Sequence, residues 1–326
     1  MIPRPRALLL LAVLSAAAEQ PYAQPQKFAL VIGISGYEPF GPDAAIRYAD
    51  RDASDFAAFI KTAQGDSFPA GNVHLVTNKA ASRRRIFSEL RWLQSAGSND
   101  KVYVFFAGHG IEFDNETYLL PADATRDTID STGIPMRDFF YRVTSKLSAM
   151  QIVVFIDACH AAAAAEGARD SPSVNVQKEW AGIDVRQGQV AMALFSSLAN
   201  QRSWEDSLLG GGHGLFTWYL LRGLKGDAGS SPDGWITAGD VLDYTKKEVE
   251  SRSLQMFRVR QTPFGSSRFR PDLPLARTAG KRLALAHTCA SGTSTCLQRG
   301  VASFISTTWI KVKLTTTKGR SSRIKQ

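Results

Sequence analysis

The sequence predicts an α/β fold, a three-layer α/β/α sandwich built on a mostly parallel central sheet. Residues 102–110 (VYVFFAGHG) and 152–160 (IVVFIDACH) are apolar runs with no alternation, the pattern of strands covered on both faces of a parallel sheet. Strand-like and helix-like segments alternate from Lys27 onward, which is the layout of an α/β domain. With 326 residues, 44% of them apolar, the chain is long enough to bury a full core and to carry extensions beside it.

The elements follow in order. Lys27–Ile34 (KFALVIGI) is the first strand, ended by Gly33, Gly36 and Pro39. A helix is expected over Ala45–Thr62, where Ala49, Ala53, Phe56, Ala57 and Ile60 recur at helical spacing. Val73–Val76 is a short strand, and Ser82 caps a helix reaching Leu93. After the strand that ends at His109, Gly110–Asp130 reads as a loop, Met136–Leu147 as a helix, and 152–160 as the next strand. Ala161–Gln187 has no apolar period and reads as a long loop inside the domain. Gln189–Ser196 restores a strand, His213–Leu224 and Thr237–Glu250 are helices, and the Pro-rich stretch Pro263–Pro274 ends the compact part. In the tail, ASFISTTWIKVKLTTT has the composition of two strands. No solenoid-type repeat is present.

The N-terminus has the pattern of a secretory signal peptide over residues 1–18: Arg4 and Arg6, an apolar run Ala7–Leu14, then Ala16–Ala18. That run is too short to span a bilayer, so the expected location is exported, periplasmic or secreted. The net charge of +9 is a local feature. Leu273–Gln326 holds ten Lys or Arg and no acid, and the leader adds two more, so the rest of the chain is slightly acidic. A basic extension of this kind is either solvated or meets an anionic surface; nucleic acid is not an expected partner. Of the three cysteines, Cys289 and Cys296 flank a polar turn (ASGTST) and are spaced to close a hairpin disulfide in an oxidising compartment. Cys159 is then left over, as a nucleophile or as an inert buried thiol.

His109 and Cys159 each stand at the C-terminal end of a buried-type strand, where open parallel sheets bind ligands. A thiol attacks a carbonyl as thiolate, so it needs a neighbouring base and a pair of oxyanion donors. His109 supplies the first, and the backbone N–H groups of Gly110 and Cys159 are candidates for the second. A metal site of Cys159, His160, His109 and His213 is disfavoured, because adjacent strand residues point to opposite faces and the ligand spacing of zinc sites is missing. No cofactor is expected: Gly33-Ile34-Ser35-Gly36 has neither the spacing nor the lysine of a phosphate loop.

Gly108-His109-Gly110, Asp157-Ala158-Cys159-His160, His213-Gly214-Leu215-Phe216-Thr217 and Asp233-Gly234, in this order, resemble the caspase–metacaspase clan of cysteine peptidases, in particular bacterial metacaspase-like (orthocaspase-type) members. The resemblance spans Lys27–Pro271. It implies a caspase-like catalytic domain over 27–272, divided into a large segment 27–160, a linker loop 161–187 and a small segment 188–272, with a basic extension over 273–326. It also implies a cysteine endopeptidase with Cys159 as nucleophile and His109 as base; a third orienting residue is not evident. The nucleophile sits in Asp-Ala-Cys-His, which departs from the glutamine-alanine-cysteine signature of true caspases.

In metacaspases the acid two before the nucleophile and one opening the first helix line the pocket for the residue before the cleaved bond. The matching positions here are Asp157 and Asp52, so a substrate with Arg or Lys before the cleaved bond is expected. Asp52 alone also reads as an acid at a helix N-terminus, and Arg47 stands one position from where a caspase keeps an acid-binding Arg. Ala107 occupies a position that is often a pocket serine in metacaspases, while Ser196 and Trp204 match the substrate-side loop, which also includes Ser203 and Glu205. Calcium-activated relatives use acids beyond the catalytic His; Asp123 matches one, but Met136 and Arg137 replace a further pair, so weak calcium dependence or none is expected. Arg169, Lys178 and Arg186 in the linker are candidates for self-cleavage. The competing function is a non-catalytic caspase-like binding or signalling module that uses the basic tail as its contact surface.

Overall fold

The computed structural model describes residues 24–40, 45–160, 179–180, 188–198 and 201–278. The leader 1–18, the linker residues Arg169, Lys178 and Arg186, the pair Cys289 and Cys296, and the tail beyond 278 lie outside them.

Among the described residues, five strands form the parallel core of one sheet: β1 (Lys27–Gly33), β2 (Val73–Thr77), β3 (Lys101–Phe113), β6 (Gln151–His160) and β7 (Val190–Phe195). They lie in the order β2-β1-β3-β6-β7, and β11 (Phe264–Gly265) closes the β7 edge antiparallel. The chain leaves β1 toward β2 and returns to β3 on its other side. The C-terminal ends of β1 and β3 therefore flank a topological switch point, where a crevice opens in sheets of this kind.

Alternation along each strand builds the layers. Leu30, Ile32, Val104, Phe106, Val154 and Ile156 face one side, where they pack against Ile86 and Leu90 of α2 (Arg83–Trp92) and Phe139 and Phe140 of α4 (Met136–Val143). Ala29, Val31, Phe105, Phe155 and Met192 face the other. There they meet α1 (Ala49–Ile60), α5 (Leu215–Arg222) and α6 (Ala238–Phe257) through Phe56, Phe216 and Val241. The Phe56 and Phe105 rings stack at 4.7 Å, with Phe155 5.1 Å from Phe56, so α1 is anchored by aromatic burial as well as by its alanines. The expected three-layer α/β/α sandwich is the observed fold.

Several element bounds differ from expectation, each for a local reason. α1 starts at Ala49, not Ala45, because the Arg47 and Tyr48 N–H groups are taken by the Glu205 carboxylate, which caps the helix from another part of the chain. Gly110–Asp130 is not a plain loop. β3 continues to Phe113 and turns through Asp114 and Asn115, both at positive φ, into β4 (Glu116–Leu119), the two-residue turn that suits a hairpin. β5 (Ile134–Pro135) pairs with β4, after a single turn of helix, α3 (Ile129–Thr132). α4 stops at Val143, where the Thr144 hydroxyl bonds back to the Phe140 carbonyl.

His213 and Gly214 are not the start of a helix but β9, paired with β8 (Glu205–Asp206) after Gly210, Gly211 and Gly212, all at positive φ. α6 runs two turns past Glu250, to Phe257, from a capping box of Thr237 and Asp240. The Pro263–Pro274 stretch includes β11. Beyond it, β12 (Pro274–Arg277) pairs with β10 (Trp235–Thr237).

Candidate active site

The β3–β6 ladder runs in unbroken register from Lys101 opposite Gln151 to Gly110 opposite His160. It sets Ala107 opposite Asp157 and His109 opposite Cys159, beside the switch point. His109 is 8% exposed. Its backbone N–H donates to Tyr37 Oη at 2.8 Å, and the Tyr37 ring lies 4.6 Å from the imidazole. Tyr37 comes from the loop after β1 and is buried. It grips the His109 backbone, a contact that the sequence did not reveal, since 72 positions separate the two residues.

The approach of Tyr37 also fixes Gly108, where a Cβ would lie 2.6 Å from Tyr37 Oη. Replacing Tyr37 by Phe keeps the ring but removes the acceptor. The orphaned N–H should lower stability by about 1–3 kcal/mol. We expect the loss of catalysis to fall on kcat rather than KM, as measured by thermal unfolding and by peptidase kinetics on the same preparation.

Next to His109 is a cleft lined by Ile46, Ala49, Asp52, Ala107, Gly108, Asp157, Ser203, Trp204, Glu205 and Gly214. Its two buried acids come from different layers. Asp52 opens α1, while Asp157 stands near the end of β6; the position of a Cβ on Gly214 would lie 2.9 Å from an oxygen of each. Only glycine at 214 lets the carboxylates converge in this way.

Asp157 accepts from Ser203 Oγ at 2.6 Å and Thr217 Oγ1 at 2.7 Å, with Ser196 bonded to it as well. Asp52 Oδ2 accepts from the Gly214 N–H at 3.0 Å, and Asp52 Oδ1 lies 2.6 Å from His213 Nδ1. Burial pushes Asp52 up to about 7; the His213 and Gly214 hydrogen bonds oppose the rise and the neighbouring Asp157 charge adds to it. Burial raises Asp157 too, against the hydrogen bonds from Ser203, Thr217 and Ser196. Glu205 is the third acid of the cleft, raised by burial and held down by the Arg47 and Tyr48 N–H groups it caps.

Trp204 walls the cleft and stacks on Phe257 at 4.5 Å. Ser196 stands behind Asp157, and its carbonyl accepts from Gln261 Nε2. Gln261, fully buried, also donates to Ser203 Oγ and accepts from the Trp204 N–H. One amide thus ties the pocket wall to the segment after α6, and no local pattern in the sequence marks it. Gly110 follows His109 in β3, opposite Leu119 of β4 and His160 of β6. Asp123 accepts from the Arg83 N–H at 2.7 Å, at the start of α2. Met136 is buried at the start of α4, and Arg137 is exposed. Arg47 contributes its N–H to Glu205. Among the described residues, no group of three or more His, Cys, Asp or Glu is arranged to hold a metal ion.

A crystal structure of protein GSU0716 from Geobacter sulfurreducens is similar in fold, with TM-score 0.52 and 17% identity, covering 78% of this chain and 98% of that one. The crystal structure of Caspase-1 from Spodoptera frugiperda has TM-score 0.48 and 14% identity, covering 78% and 92%. No curated protein matches the sequence. The family model Peptidase_C14, Caspase domain, matches residues 26–273, the span that contains the sheet, the His109–Cys159 register and the acidic cleft. The chain belongs to the caspase-domain family of cysteine peptidases.

Proposed function

We propose that the protein is an exported, metacaspase-type cysteine endopeptidase that cleaves after Arg or Lys. The convergence of Asp52 and Asp157 on Gly214 carries this reading. Two buried acids at the floor of a cleft, with Glu205 at its wall, complement a guanidinium or ammonium and repel an acidic side chain. In the reaction His109 takes the proton of the Cys159 thiol, and the thiolate adds to the carbonyl. The oxyanion is met by backbone N–H groups, Gly110 and Cys159 being the candidates. His109 then gives its proton to the leaving amine, and water hydrolyses the thioester. The partner is a protein or peptide substrate; the basic tail is assigned no part in the chemistry and is available to an anionic surface.

Fluorogenic peptides ending in Arg, Lys or Asp, with and without calcium, test the reading on the full chain. Turnover of the Arg and Lys peptides alone, little changed by calcium, is expected, and turnover of the Asp peptide alone would overturn it. Gel analysis of the same incubations reads self-cleavage at Arg169, Lys178 or Arg186. Fragments that persist in Cys159→Ala would reject it.

A further inference from the structure

The peptidase reading leaves one buried imidazole without a role. His213, 3% exposed, lies between two carboxylates of α1. Its Nδ1 is 2.6 Å from Asp52 Oδ1, and its Nε2 is 3.3 Å from Asp55 Oδ2. Asp52 and Asp55 are three residues apart and so share a helix face, and the β8–β9 pairing lays the ring across that face.

The Nδ1 contact is a hydrogen bond and the Nε2 contact an ion-pair approach; a buried ring set between two carboxylates is favoured in its charged form, as an imidazolium. A neutral ring would turn a lone pair toward one of the two carboxylates. The Trp218 ring lies 5.3 Å from the imidazole at 32°, a further group that favours a cation there.

The remaining charges around His213 are accounted for on each side. Arg51 of α1 is engaged by the Gly210 and Gly211 carbonyls and also lies 3.9 Å from Asp55 Oδ2, the oxygen nearest His213 Nε2. Asp206 is the register partner of His213 and Glu205 that of Gly214. Asp157 meets the pocket across Gly214. Arg222 lies over the Trp218 ring at 6.0 Å.

We propose that His213 is a specificity-determining positioning residue, an imidazolium clamped by Asp55 that keeps Asp52 ionised so that the pocket can receive a cationic side chain. The proposal rests on the Arg/Lys reading above. Without His213, a carboxyl buried beside Asp157 would hold its proton, and a protonated Asp52 would be a poor partner for a guanidinium or ammonium group. With it, Asp52 stays ionised beside Asp157, and the two carboxylates meet the cationic side chain together.

Kinetics over pH 5.5–9 on Arg and Lys peptides, with wild type, His213→Asn and Asp55→Asn, joined to ¹⁵N spectra of the histidine rings, test this. His213→Asn keeps a donor toward Asp52 but no charge, and Asp55 is half-exposed, so its exchange leaves the core intact. In the wild type at pH 7, a ring signal with both nitrogens protonated is expected, missing in His213→Asn and weakened in Asp55→Asn. The acid limb of kcat/KM should move up by one pH unit or more in His213→Asn and by less in Asp55→Asn, with the loss falling on KM rather than kcat. A neutral His213 ring, or an acid limb that stays in place, would overturn the proposal. If no preparation cleaves Arg or Lys peptides, it is the peptidase reading that fails, and the ring spectra still decide the charge of His213.

Discussion

Replacing Cys159 by Ala is expected to lower hydrolysis of Arg and Lys peptides by about 10⁴-fold or more, and His109→Ala to do the same. The basis is the sheet itself. Ten consecutive register pairs, from Lys101–Gln151 to Gly110–His160, hold β3 and β6 together without a bulge, and neighbouring strands lie roughly 4.8 Å apart. The spacing of residues 109 and 159 is therefore a property of the core, to which Tyr37 adds a second grip on His109. Two groups that act as one unit give non-additive losses. The double variant should be no slower than either single one, with thermal unfolding close to wild type. A further drop in the double variant would mean that the two residues act independently.

The parts of this arrangement that were legible in the sequence are those written locally. The apolar runs before His109 and Cys159 specify buried parallel strands whatever lies around them, and Asp52 and Asp157 are recognisable through the family resemblance that those motifs carry. The parts that were not legible depend on residues far apart in the chain. Glu205 caps a helix 157 positions earlier, and His213 meets Asp52 across 161. Gln261 reaches Ser196 across 65. Nothing at either end of such a contact marks it, because a Glu, His or Gln is ordinary in a polar loop until the fold buries it. The start of α1 shows the consequence. Its apolar spacing fits a helix from Ala45, but a remote carboxylate claims the N–H groups of Arg47 and Tyr48. The hairpin at Asp114-Asn115 is different in kind: its turn residues are local, but the paired stretches they join are short and carry Glu112 and Glu116, so the segment reads as a loop.

Asp157→Asn should act on activity and on stability in opposite directions. The side-chain donors to Asp157 are hydroxyls of Ser203, Thr217 and Ser196. A hydroxyl can donate or accept, so an amide fits where the carboxylate stood. What is removed is the charge. For a substrate with a buried cation, losing a pocket partner should cost about 100–1,000-fold in kcat/KM.

For the empty protein the charge is a burden, because burial raises the carboxyl above its ordinary value of 3.8. The folded chain holds this proton to a higher pH than the unfolded chain does. Between the two values unfolding releases a proton, so stability falls as pH rises, and above the folded value the whole penalty is present. Asparagine carries none of it. The variant is therefore expected to unfold at a higher temperature than wild type at pH 8, with the gap closing as pH falls toward 4. A variant less stable than wild type at pH 8 would mean that the hydrogen bonds of the carboxylate outweigh its burial. Loss of turnover without a gain in stability would then be a folding defect and no evidence for an acidic pocket. A gain in stability together with loss of Arg and Lys cleavage would mean that the fold keeps a destabilising charge because the substrate needs it.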